Sequence, residues 1–335
     1  MPDSDIQHTQ TVLGMAILFA MLGTLLLSLV GRWIGGAWTV LLAILLASLV
    51  AYQPLCNSPL FGRLATDRQQ RILLAAIPFT LLLIGLSFKR IPLLLRVISA
   101  IVGPAMMLTW VFYGYDKTVP MMTIFTTRIA PICLSLFVVW LLIEPIAIRT
   151  PGAAAPMILG FLGAGCGFLL MLSAENQAGL MGLMVPATAG GATLAAIVAA
   201  MFRKQLSAAR GPVLLWLTLL ASQFAYLWIA HSTKEMPLNY LTWLAAVPLL
   251  AWIPEIGPIH RIKPWKRETL RFVLLAIPVV ITMVAAKKQH DREAAEAGDP
   301  FGILWQSPQF VPHSAAPMCP RYMPMPKTIN PPTIT

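Results

Sequence analysis

The chain alternates between long apolar runs and short polar stretches along most of its length. Ten runs stand out, near residues 11–31, 34–52, 72–88, 91–113, 127–148, 152–172, 178–202, 212–230, 238–254 and 270–286. Most are about 17–25 residues, the length an α-helix needs to cross a hydrocarbon core roughly 30 Å thick. Lipid offers no partner to a backbone N–H or C=O, so a crossing segment must satisfy its own backbone as a helix. The pattern predicts an all-α fold, a polytopic transmembrane helical bundle of about ten membrane-spanning helices over residues 11–286. Arg96 and Arg128 intrude near the starts of two runs, so those two boundaries are the least sharp.

Outside the bundle the pattern breaks. Residues 1–10 read as a polar N-terminal tail, and residues 287–335 as a charged juxtamembrane segment followed by a Pro-rich disordered tail. The segment KKQHDREAAEAGD is rich in helix formers and is expected to carry the last helix a turn or two out of the bilayer. From Pro300 onward there are nine prolines in thirty-six residues, a composition that favours extended chain over a packed core.

Composition sharpens this picture. Hydrophobic residues make up 58% of the chain and charged residues 11%, against the near-25% charged share of a soluble domain. The formal charge of +11 does not imply a nucleic-acid partner, because the basic residues are spread among short loops rather than gathered in one patch. Their distribution instead bears on orientation. Numbering loops by alternate sides puts eleven basic residues near the membrane on one side, among them Arg203, Lys204, Arg210, Arg261, Lys263, Lys266 and Arg267. Nine fall on the other. The positive-inside rule then places the first side in the cytoplasm and both termini outside. No removable leader is expected, since the first ten residues lack Lys and Arg; the first apolar run should remain as an anchor.

Few residues within the runs could carry chemistry. Glu144, in VVWLLIEPIAIRTPG, lies near the end of a run beside Pro145, which removes a backbone donor. An intramembrane carboxylate is costly and suggests a functional site, although Arg149 is near enough to make an interfacial pair. Gln223, in WLTLLASQFAY, is the one amide deep in a run, suited either to a polar cavity or to a hydrogen bond between helices. A possible polar cavity would bring Glu144 and Gln223 together. Arg96 is expected to snorkel to the cytoplasmic face. Gly163 and Gly167 form a small-xxx-small pair suited to helix packing. In LSAENQAG, residues 172–179, Ser173 suits a helix N-cap and Glu175 the first turn, so this stretch reads as a connection between helices rather than a site.

Other classes of function are disfavoured. The histidines at 8, 231, 260, 290 and 313 are isolated and lack metal-ligand spacing, and no cofactor motif is present. No H-E-x-x-H, P-loop or G-x-S-x-G occurs, so an enzyme is not expected. Pro78, Pro104, Pro131, Pro186, Pro248 and Pro278 each fall within a run, which suits the kinked helices of a transporter as well as static helices. The expected function is a small permease or transporter of an uncharged or weakly charged solute in the plasma membrane. The alternative is a non-catalytic scaffold or subunit of a larger membrane complex. The lipid bilayer is the expected partner, with other membrane proteins a further candidate.

Overall fold

A computed structural model describes residues 3–34, 37–56, 68–87, 92–112, 120–150, 152–173, 179, 182–202, 211–232, 238–256 and 262–296. The Pro-rich tail expected from Pro300 lies outside the described residues. Among them the chain is helical throughout its long elements, with no strand. The rods are α1 (Asp3–Ile34), α2 (Ala37–Cys56), α3 (Arg68–Ser87), α4 (Leu93–Phe112), the short α5 (Met121–Ile124) running into α6 (Ala130–Arg149), α7 (Ala154–Leu172), α8 (Met184–Met201), α9 (Gly211–Ser232), α10 (Leu238–Leu250) and α11 (Pro264–Glu296). Each apolar run holds one rod.

Six of these helical stretches are long and apolar enough to cross a membrane. They lie in α4, in α5 to α6, and in α7, α8, α9 and α11. The apolar stretches Gly14–Val30, Trp38–Val50 and Leu74–Gly85 are shorter. The structure is therefore an apolar, all-helical bundle of membrane type. Its outer surface fits lipid: Phe19, Leu26, Leu94, Val102, Leu134, Phe272 and Val280 are all exposed. In water such a surface would be an aggregation hazard, whereas in hydrocarbon it is ordinary.

Several boundaries differ from the sequence pattern, for local reasons. Helix α1 begins at Asp3, ahead of the apolar run that starts near residue 11. The fifth run begins at Met121, after Pro120, whose carbonyl accepts from the Ile124 N–H at 3.2 Å. The helix widens into a π turn at Phe125–Ile129, just before Pro131. Proline cannot donate and its ring pushes on the preceding turn, so a widened turn there relieves the crowding. Arg128 stays inside this element with its guanidinium 5.9 Å from the centre of the Phe112 ring. The last helix starts at Pro264 rather than near 270, and runs to Glu296 with Lys287 and Asp291 paired at 3.0 Å on its exposed end. Between α6 and α7 the turn is tight: Thr150 donates both its N–H and its hydroxyl to the Ile146 carbonyl, and Gly152 takes φ 138°, which glycine alone adopts without strain.

The core is organised around α9, which is buried along most of its length. It packs against α2, α3, α4, α6, α7 and α8. Helix α1 lies outside α2 and α8, and α11 lies against α7 and α10.

Candidate functional site

Helix α6 presents one buried stripe to the bundle: Cys133, Leu136, Trp140, Ile143, Glu144 and Ala147. The spacing is that of a helix face, and a carboxylate and an indole fall in the middle of it. Glu144 is 5% exposed. Its Oε1 accepts from Nη1 of Arg96, which reaches across from the first turn of α4. Arg96 therefore does not snorkel to the interface as its sequence position suggested. Turning inward gives the carboxylate an opposite charge at a depth where an isolated ion would be prohibitive. The pair still leaves polar capacity unused. Glu144 Oε2, Arg96 Nε and, one turn earlier on α6, Trp140 Nε1 are buried and have no hydrogen-bond partner among the described residues. Each such atom costs on the order of 1–3 kcal/mol.

Arg149, the expected interfacial partner of Glu144, is engaged elsewhere. Its guanidinium lies 5.6 Å from the centre of the Trp252 ring, beyond the end of α10. The same indole donates to the Leu142 carbonyl at 3.0 Å, within the turn before Pro145 and Ile146. Trp252 thus pins the end of α6 to the end of α10 through one hydrogen bond and one cation–π contact.

A second ionic group stands beside this junction. Arg271, in the second turn of α11, is 0% exposed. It donates from Nη1 to both oxygens of Glu268 at 2.6 Å, from Nη2 to Oε1 of Glu255, and from Nε to the Ala251 carbonyl at 3.5 Å. Arg267 Nε lies 4.0 Å from the same Glu255 oxygen. Glu255 sits in a 3-10 turn, Ile253–Glu255, that follows α10. Among the described residues, two arginines and two glutamates balance in this cluster. The sequence pattern counted Arg267 among the loop charges and put Arg271 at the start of the last apolar run, and it joined none of these four residues. The one available signal was the i, i+3 spacing of Glu268 and Arg271; the link to Glu255 crosses a connection whose path is not encoded locally.

Gln223 has a different role and a different depth. Its Nε2 donates to the Gly182 carbonyl at 2.7 Å, just before α8. Its Oε1 is buried without a partner among the described residues. Gly182 faces Gly167 on α7: a Cβ at Gly182 would stand 3.0 Å from the Gly167 Cα. A Cβ at Gly163 would stand 2.8 Å from Val185 Cγ1, and one at Gly160 3.4 Å from Ala189 Cβ. Glycines 160, 163 and 167 thus line the seam where α7 and α8 approach, and Gln223 bonds the open end of that seam. Gly167 is thirteen residues past the start of α7, roughly 20 Å along it, whereas Glu144 is about 7 Å from the end of α6. The structure gives Glu144 and Gln223 separate partners and does not bring them together.

The remaining polar groups of the runs are mostly spent within their own helices. The hydroxyls of Thr109, Thr188, Thr193 and Thr218 donate to the carbonyl four residues back, and Ser222 donates to the Leu219 carbonyl. Thr188 also accepts from the Trp216 indole at 3.1 Å, joining α8 to α9. Ser173 closes α7, its N–H on the Leu169 carbonyl and its hydroxyl on that of Leu170. Glu175 lies outside the described residues.

No protein-family profile, curated protein or solved structure matches this chain.

Proposed function

We propose that this protein is a multi-pass permease of the plasma membrane that carries an uncharged or weakly charged solute through a bundle of ten crossings. The observation that carries the proposal is the Arg96–Glu144 pair, buried between α4 and α6 with a carboxylate oxygen and a guanidinium N–H unmatched. A purely architectural bundle gains most by filling that seam with apolar side chains. Retaining a pair with spare hydrogen-bonding capacity suits a path along which a polar solute exchanges its water for protein groups. The proline-bearing helices α3, α4, α6, α10 and α11 can flex where backbone hydrogen bonds are missing, as gating requires.

A second reading is favoured by a separate observation. Gln223 bonds Gly182, and Trp252 bonds Leu142, so these polar groups tie elements together as a membrane scaffold or complex subunit would need. Purified protein in liposomes separates the readings. Osmotic reswelling should be faster than in protein-free vesicles for at least one of urea, acetamide, glycerol and ribose. It should fall about tenfold in Glu144→Gln, the loss of one charged hydrogen-bond partner. Reswelling equal to that of protein-free vesicles for all four solutes would leave the scaffold reading.

A further inference from the structure

We propose that Trp140, Glu144 and Arg96 form a recognition site for a small neutral molecule bearing both a hydrogen-bond acceptor and a donor, of the hydroxyl or amide class. The inference rests on the permease reading for its purpose, but its geometry stands apart from it. Trp140 and Glu144 are four residues apart in WLLIE, on the same buried face of α6. Side chains at that spacing have Cβ atoms about 5–6 Å apart and lean toward the helix N-terminus, so Glu144 leans over the turn that Trp140 occupies. Arg96 arrives from α4 and engages Glu144 Oε1 alone. Three buried polar atoms on α4 and α6 are then uncommitted: the Trp140 Nε1–H, the Arg96 Nε–H and the Glu144 Oε2.

Their chemistry specifies the ligand. Two of the atoms are donors and one is an acceptor. A carbonyl or hydroxyl oxygen can accept from the indole and the guanidinium, while an amide N–H or hydroxyl O–H gives to the carboxylate oxygen. Charge sets the second requirement. Arg96 and Glu144 cancel, so an ionic ligand would add an uncompensated charge at membrane depth, whereas a neutral one adds none. The Trp140 ring, stacked on Phe137 with centroids 5.6 Å apart, supplies an apolar wall for the ligand's carbon atoms.

The test uses the full-length protein in lipid nanodiscs and saturation-transfer NMR with acetamide, glycerol and acetate. Acetamide or glycerol should bind saturably, while acetate, the isosteric anion of acetamide, should not. Trp140→Phe keeps the ring and deletes the N–H, and should weaken binding roughly fivefold, the worth of one hydrogen bond. Arg96→Lys keeps the charge and removes the Nε–H, and should act in the same direction; it carries the test if Trp140→Phe does not fold. Absence of saturable binding by either neutral probe would overturn the inference, as would equal binding of acetate or an unchanged affinity in the folded variants. Flux through proteoliposomes distinguishes the two proposals. Binding lost in Trp140→Phe without wild-type flux would remove the permease and keep the site. Flux unchanged in Trp140→Phe would remove the site and keep the permease.

Discussion

An arginine with no exposed surface makes an unusual demand on its surroundings, because all five of its donors must be met by the protein. All three guanidinium nitrogens of Arg271 are engaged, by Glu268, Glu255 and the Ala251 carbonyl, which ties the first turns of α11 to the end of α10. Removing one member of such a group is worse than removing the group, since the remaining charge is left buried. Arg271→Met should therefore destabilise the folded protein by about 3–5 kcal/mol, lowering its thermal midpoint in detergent. Converting Glu255 to Met in that background should recover part of the loss. A double variant less stable than Arg271→Met alone would show that the cluster is not acting as a balanced unit. Gln223 predicts a smaller effect. Gln223→Leu removes one hydrogen bond to Gly182 and should cost on the order of 1 kcal/mol, read in the same melting experiment. A change beyond about 3 kcal/mol would mean that the amide does more than hold the seam.

Between helices, the decisive contacts are made by the smallest residues, and two neighbouring glycines on α8 provide an internal control. A Cβ at Gly191 would overlap the Met21 carbonyl oxygen of α1 and come within 3.0 Å of Thr24 Cβ. At Gly190 the nearest atom is Met21 Sδ, at 4.0 Å. Gly191→Ala should push α1 off α8 and destabilise the protein by roughly 1–3 kcal/mol, because backbone cannot yield as a side-chain tip can. Gly190→Ala should be neutral or stabilising by up to about 1 kcal/mol, the helix-propensity difference. Equal midpoints for the two variants would contradict this packing. The helices themselves were legible from the apolar runs, because lipid permits little else at that length and hydropathy. Their partners were not. Nothing near Glu144 in the sequence distinguishes Arg96, forty-eight residues away, from the closer Arg149. Trp140 is hidden in an apolar stretch where an indole looks like packing, and the reversal of Arg96 depends on α4 lying beside α6. The π turn before Pro131 is likewise a compromise between local chemistry and continued helix, and an apolar count cannot resolve it.

For the whole molecule, the number of crossings and the placement of the termini are one question, because an even number returns the chain to its starting side. Ten rods follow one another among the described residues, but six helical stretches meet the length and apolarity of a full span. The ionic groups supply a physical reason to count α10, the shortest of the rods, as a crossing. Arg96 lies at the start of α4, Glu144 near the end of α6, Glu255 after α10 and Arg271 near the start of α11. Trp252 joins the ends of α6 and α10, so these groups occupy one end of the bundle. Connecting the end of α6 to the end of α10 requires an even number of crossings between them; α7, α8, α9 and α10 supply four. The tail-side end of α11 then lies opposite. If α1, α2 and α3 also cross, the start of α1 shares that opposite face, which the positive-inside count assigns to the exterior. Single cysteines at positions 5 and 310, in a background without the native cysteines, should both react with a membrane-impermeant maleimide in intact cells. Protection of both would keep the even count and invert the bundle. Reaction at one position only would mean an odd count, with one of the shorter rods lying along the membrane instead of through it.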